Sequence, residues 1–367
     1  MAAGTAVVLF ASIEPGTDRS SICKDQLTGD RRYMISGKYL RTIIMLSIMV
    51  LLSGFTACGV QKNTGETTSV AEDTSIAEEH SRETLIAESE TAVTEEPQDE
   101  VLAETAQSQP VEYTDLQQII LNPDWEYADH SKINTGAAVL YQAPEKSGRK
   151  GIVIGVNAGH GTAGGAKVKT LCHPDGSAKV TGGSTAAGAT EAAAVSGGMT
   201  FQDGTPEREV TLRMAQILRD KLLTSGYDVL MLRDSEDVQL DNVARTVICN
   251  HVADCHIALH WDSGDGKNYD KGCFYISVPE ALKSMEPVAS HWQQHDTLGT
   301  DLVEGLREQG ATIYGKGHMG IDLTQTSYST IPSVDMELGN AYSDHGDEVL
   351  EQLATGLLTG INTYFEQ

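Results

Sequence analysis

The sequence predicts an α/β fold, a single domain with a mostly parallel sheet flanked by helices, preceded by a signal segment and a disordered linker. Three observations carry that expectation. Short runs dense in Val and Ile, beginning with Gly151 to Ala158, alternate from residue 207 onward with segments of helical period, the pattern of strands joined by crossover helices. The stretch before residue 112 is too polar and too poor in aromatic residues to offset the entropy of ordering its backbone. An apolar run from Ile43 to Leu52 follows Lys38 and Arg41, the order of an export signal.

Residues 1–33 carry neither periodicity nor a motif, so Met34 is the expected true start and 1–33 an over-long N-terminus. Residues 34–58 form the signal, whose apolar run is shorter than the about 20 residues a spanning helix needs. It closes on Gly54-Phe55-Thr56-Ala57-Cys58. Small residues before a cysteine resemble the lipobox of bacterial lipoproteins, with Phe55 where that pattern usually has Leu. The resemblance implies cleavage before Cys58, lipidation of its thiol and attachment to a lipid bilayer. Residues 59–111 are an acidic, disordered linker with about a dozen more acidic than basic side chains, a tether some tens of ångströms long. The formal charge of −26 over 367 residues excludes a basic surface for nucleic acid. Residues 112–150 bring in Tyr113, Trp125, Tyr127 and the strand-like Ala137 to Tyr141, an N-terminal extension packed on the domain proper, 151–367.

The first strand of that domain runs from Gly151 and ends on His160, between two glycines that admit close approach to the imidazole. Thr162 to Pro206 follows as a long Gly, Ala, Ser and Thr-rich interruption, a length expected of a lid, a recognition element or a mobile insert. Val210, Met214, Ile217, Leu218 and Leu222 then share one helical face, and Gly226 caps that helix. A strand at Tyr227 to Leu232 and a helix at Leu240 to Val252, with Val243, Val247 and Ile248 inward, lead to a strand from Cys255 that ends on His260. Further strands are expected at Gly272 to Val278 and Ser333 to Leu338, and helices at Trp292 to Glu308 and Asp347 to Phe365.

Two histidines at strand carboxyl ends need a third ligand and an open position to make a catalytic zinc site. Glu207 opens the first long helix, whose N-terminus faces the same sheet edge. Glu209 is the alternative, and register favours Glu207. A His, Glu, His set leaves one tetrahedral position for water, and Glu337, at the end of another strand, could move that water's proton.

These residues resemble the zinc-dependent N-acetylmuramoyl-L-alanine amidases of the amidase-3 type, over roughly residues 151–365. The Gly-His-Gly strand end matches Asn157 to Gly161. The helix opening matches Glu207 to Leu212, the Arg-containing helix running into a strand and His matches Arg245 to His260, and the terminal Pro, apolar, Glu, Gly pattern matches Pro332 to Gly339. The resemblance implies Zn2+ held by His160, Glu207 and His260, with Glu337 as general base and then acid. It further implies peptidoglycan as substrate, cut between N-acetylmuramic acid and L-alanine. With the lipobox it implies an exported lipoprotein on the outer face of the cytoplasmic membrane. Two features depart from the pattern: Trp261-Asp262-Ser263 after the second histidine, expected to alter the groove rim, and the long link before Glu207. Arg245, Asp262 and the loop residue His318 are candidate substrate contacts, with Arg245 otherwise pairing an acid beneath the site or on the helix surface. Cys172, Cys249, Cys255 and Cys273 remain after processing; an exported setting permits disulfides, and Cys172-His173 raises an extra metal site as a minor alternative. The rival functions are another peptidoglycan zinc peptidase and a non-catalytic wall-binding or regulatory lipoprotein on the same fold.

Overall fold

The computed structural model describes residues 116–264 and 266–366. The proposed start, signal, Cys58 and acidic linker lie outside the described residues. Within them the strands are β1 (Leu116–Ile119), β2 (Ala138–Tyr141), β3 (Val153–Ala158), β4 (Lys169–Leu171), β5 (Glu191–Ala193), β6 (Asp228–Met231), β7 (Cys255–Asp262), β8 (Cys273–Ser277), β9 (Ile313–Gly320) and β10 (Ser333–Asn340). The helices are α1 (Glu207–Thr224), α2 (Asn242–Val252), α3 (Val288–Glu308), α4 (Thr324–Tyr328) and α5 (Asp347–Phe365).

Eight strands form one sheet in the order β1-β2-β6-β3-β7-β10-β8-β9. Its centre, β6-β3-β7-β10, is parallel throughout, while β1, β2 and β8 join antiparallel. From β3 the chain crosses through α1 to β6 on one side, then returns through α2 to β7 on the other. Strand order therefore reverses between β3 and β7, and the crevice at their carboxyl ends is where an open α/β sheet builds a site.

Alternation along the strands separates two cores. Ile154, Val156, Val229, Met231, Ile257, Leu259, Val334 and Met336 pack beneath α1, α3 and α5. Leu230 and Leu232 point the other way, onto Ala244 and Ile248 of α2. In α1 the stripe Val210, Met214, Leu218 and Leu222 is fully buried, each side chain contributing about 2 kcal/mol. That helix ends as a Schellman turn: Tyr227 N–H donates to the Leu222 carbonyl at 3.0 Å, Gly226 N–H to Leu223 at 3.2 Å, and Gly226 takes φ +86°. Asp241 caps α2 by accepting from Ala244 N–H at 2.8 Å, and its other oxygen accepts from the Lys132 and Ile133 amides, which fastens the segment between β1 and β2 to the domain.

Three elements differ from expectation. Helix α3 starts at Val288, a turn earlier than Trp292, directly after Pro287, which cannot donate a backbone bond and is tolerated at a helix start. The glycine-rich segment around His318, expected as a loop, is strand β9, hidden by the poor strand propensity of Gly315, Gly317 and Gly320. The 162–206 interruption is ordered: β4 and β5 pair as an antiparallel ribbon. It is fastened to the segment after β9 by a fully buried His173–Asp322 pair at 2.9 Å. The Val180 amide donates to Asp322 at 2.7 Å, and the Asp322 amide to Thr181 Oγ1 at 2.8 Å. His173 is thus occupied by Asp322 and Ser177, which removes the Cys172-His173 metal alternative. Cys172, Cys249, Cys255 and Cys273 are all buried free thiols. Among the described residues no helix is long and apolar enough to cross a membrane.

Candidate metal centre

Beyond β3 the backbone turns sharply, with φ +66° at His160 and +68° at Gly161. A histidine in the left-handed region persists only where its surroundings hold it. Two fully buried arginines do so. Arg233 donates to the carbonyls of Ala158 (3.1 Å) and Gly159 (2.9 Å), and Arg245 to those of Ala158 (3.1 Å) and His160 (2.7 Å). Arg245 also reaches Asn157, Thr162 and the Leu240 carbonyl. Its hydrogen bonds go to carbonyls and neutral side chains, not to a carboxylate, so it supports the His160 turn from below instead of forming a helix-surface salt bridge. Burial lowers Arg233 to about 10 and Arg245 to about 9, and both stay charged at neutral pH.

The turn aims His160 Nε2 at Glu207 Oε1, 2.8 Å away. His260, on β7, brings Nδ1 to 3.1 Å from both Glu207 Oε1 and His160 Nε2. The rings meet edge to face at 4.6 Å. Gly159 makes this approach possible: a Cβ there would lie 2.2 Å from the His260 ring. What the glycine admits is thus the second histidine. Among the described residues this is the only His, Cys, Asp or Glu group able to hold a metal ion, its donor atoms all within 4.8 Å of one another. Two imidazole nitrogens and a carboxylate oxygen suit a divalent transition metal. Glu209, by contrast, is exposed beside Arg208.

The supports around these donors are also in place. His160 Nδ1 lies 3.0 Å from the Ser196 carbonyl, so its proton sits there and Nε2 is free to ligate. Glu207 Oε2 accepts from the Met199 amide at 2.8 Å, and Oε1 from the Trp261 amide at 3.1 Å. Gly198, at φ +80°, passes so close that a Cβ would meet His160 at 2.8 Å. The end of the 162–206 segment therefore forms a wall of the site. Burial works against the Glu207 charge, but hydrogen bonds from His160 and His260 hold its carboxyl far below the usual range. Burial likewise opposes charge on His260, yet Asp335 and Glu207 push it up to about 10.

Glu337 is the register partner of His260 across β10 and β7 and lines the same cavity of about 590 Å³. Burial first, then neighbouring Asp335, pushes the Glu337 carboxyl well up. Asp262 also lines the cavity and is paired with Lys271. His318 stands apart from it, on β9 against Tyr275 and Ser277. Trp261, Asp262 and Ser263, the departure expected to alter the groove rim, all line the cavity, while the bulk of the Trp261 side chain is 2 % exposed and packs in the α1 side core near Phe201, because the residue after His260 on a strand faces the opposite way. Sequence reasoning missed Asp335, two residues before Glu337 and hence on its face, although the strand period signals it. It also missed Arg233, Ser196, whose carbonyl and hydroxyl both reach His160 Nδ1, and Met199, which acts through its main-chain amide and leaves no side-chain signal.

The sequence model of the N-acetylmuramoyl-L-alanine amidase family matches residues 154–358, more than half of the chain. No curated protein matches the chain. Similar solved structures include the apo N-acetylmuramyl-L-alanine amidase Ami1 of Mycobacterium abscessus, 19% identical with a TM-score of 0.47, covering 59% of this chain and 99% of that one. Ami1 of Mycobacterium smegmatis is 18% identical at 0.47, covering 59% and 97%. The amidase AmiC2 of Nostoc punctiforme is 16% identical at 0.44, covering 60% and 99%. On the family match, the chain belongs to the amidase-3 family of N-acetylmuramoyl-L-alanine amidases, hydrolases of peptidoglycan.

Proposed function

We propose that the chain is a zinc-dependent amidase that cuts the bond between the lactyl group of N-acetylmuramic acid and L-alanine. In this reading His160, Glu207 and His260 hold zinc and Glu337 moves the protons. The observation that supports it most is the convergence of His160 Nε2, Glu207 Oε1 and His260 Nδ1 on one point at the sheet's switch crevice, beside Glu337. The chemistry such an ion supplies when bound is Lewis acidity toward the scissile carbonyl and toward water.

The protein's part is positioning and proton transfer. Glu337 takes the proton of the attacking water and returns it to the departing alanine amine, and the burial that pushes its carboxyl up makes it a stronger proton acceptor than an exposed glutamate. Glu207, held strongly acidic by both imidazoles, stays ionised as a ligand. Two carboxylates thus take different roles from different surroundings. Asp262 stands at the cavity wall as a candidate substrate contact, while Arg245 acts from beneath the His160 turn.

The same reading places the chain outside the cytoplasmic membrane. Residues 34–58 act as a lipoprotein signal, lipid on Cys58 anchors the mature protein, and 59–111 tether the extension 112–150 and the catalytic domain 151–367 within reach of the wall. The test is digestion of purified peptidoglycan by the full chain, stripped with a chelator and then restored with zinc. Cleavage lost on stripping and regained with zinc is the expected result; cleavage that persists after complete metal removal would overturn the assignment.

A further inference from the structure

His260 presents Nδ1 to the metal side, since that atom lies 3.1 Å from both Glu207 Oε1 and His160 Nε2. A neutral imidazole that ligates through one nitrogen carries its proton on the other, and that N–H needs an acceptor to fix the ring. For His160 the acceptor is the Ser196 carbonyl at 3.0 Å. For His260 the second nitrogen, Nε2, faces the Asp335 carboxylate, with Oδ2 at 4.0 Å.

Asp335 has the marks of a group kept for this purpose. It sits on β10 opposite Ala258, one pleat from the Glu337–His260 register pair, and so on the face that carries both. Its side chain is 13 % exposed, and Oδ1 is buried with no hydrogen-bond partner. An acid whose role was structural would have that oxygen satisfied. A buried carboxylate with an unfilled oxygen is a cost to the fold.

We infer that Asp335 is a positioning residue for the metal centre: its carboxylate, within charge-pair reach of His260 Nε2, favours the tautomer with the proton on Nε2 and so keeps Nδ1 directed at the ion. The inference rests on the proposed zinc site. It makes the two histidine ligands unequal. The orienting group of His160 is the Ser196 carbonyl at 3.0 Å, with that residue's hydroxyl at 3.1 Å, whereas that of His260 is an acidic side chain.

The test is zinc affinity of the full chain by chelator competition, with thermal melting of the metal-free protein, for wild type, Asp335→Ala and Asp335→Asn. The expected result is a Kd about 10–100-fold weaker for Asp335→Ala, the usual effect of losing such a partner. Asp335→Asn, which keeps an acceptor without the charge, should fall between. Zinc affinity should fall in both variants by more than any change in the metal-free melting temperature accounts for, an outcome that a merely structural role would not give. Zinc affinity within twofold of wild type in Asp335→Ala, or a lowered metal-free melting temperature that accounts for the weaker binding, would overturn the inference. Should Asp335→Ala not fold, Asp335→Asn decides: wild-type affinity there rejects the role. Absence of zinc binding by the wild type would reject the proposed zinc site, and this inference with it, a result distinct from tight binding that Asp335 does not affect.

Discussion

Replacing Gly159 with alanine tests whether the two histidines must touch. A Cβ at this position would stand 2.2 Å from Cε1 and 2.6 Å from both nitrogens of the His260 ring. Ordinary carbon contacts are about 3.5–4.0 Å, so the ring has to retreat by more than about 1 Å. Its present place is defined by contacts of 3.1 Å to Glu207 and to His160, and a retreat of that size breaks both. Overpacking of this kind costs about 1–3 kcal/mol of stability, or roughly 2–4 °C of melting temperature per kcal/mol for a domain of this size. The effect on the metal should be larger in proportion. Displacing a ligand ring should weaken zinc at least as much as the about 10–100-fold that losing a supporting partner does. Chelator competition on Gly159→Ala, with a melt to show that it folds, measures both. A folded variant with wild-type zinc affinity would refute the reasoning, because the ring would then have room that the structure denies it.

Glu337→Gln keeps the size of the side chain and removes its ability to accept a proton; turnover should fall by about 10²–10⁴-fold with zinc content unchanged, read by muropeptide release and metal analysis. His256 and His295 are both lowered to about 3, by burial first and then, respectively, by Arg245 with His295 and by His291. The unfolded chain takes up those protons below about pH 6.5, so their contribution to stability is full above that pH and is lost as pH falls toward about 3. At about pH 4 each should cost about 3 kcal/mol. Because neither ring nitrogen of His256 has a partner, denaturant titrations of His256→Leu against wild type should converge near neutrality and diverge in favour of the variant in acid. Asp322→Ala leaves His173 buried without its acid and should cost about 3–5 kcal/mol. Limited proteolysis should then cut first within residues 162–206, and zinc binding should weaken on the proposed site, since Ser196 and Met199 hold His160 and Glu207, two of its proposed ligands.

Much of the fold was legible because the regular elements carry strong periodic signals. The α1 stripe closed by Gly226, strand β3 with His160 two residues beyond its end at Ala158, strand β7 with His260 two residues before its end at Asp262, and the closing α5 all follow closely from spacing and caps. The chemistry-bearing types, His, Glu, His and Glu, were visible because sites in such sheets lie at strand carboxyl ends. What escaped was of another kind. Strand β9 was obscured by glycines, and the 162–206 segment gains its order from a buried pair whose halves, His173 and Asp322, are far apart in sequence. The Trp261 to Ser263 stretch does line the cavity, but strand alternation packs the Trp261 ring in the core. Arg233 escaped, and Arg245, singled out as a substrate contact or acid partner, acts instead on the carbonyl groups beneath His160, which no side-chain pattern reveals.

The central claim is that this centre hydrolyses the bond between the muramic acid lactyl group and L-alanine. The most direct measurement is digestion of peptidoglycan by the zinc-loaded full chain in heavy-oxygen water, with the fragments read by mass spectrometry beside a Glu337→Gln control. Heavy oxygen in the lactyl carboxylate, with a free L-alanine amine on the released peptide, is the predicted result, absent from the control. Label in a carboxylate within the stem peptide instead would contradict the account and identify the protein's reaction as that of a peptidase.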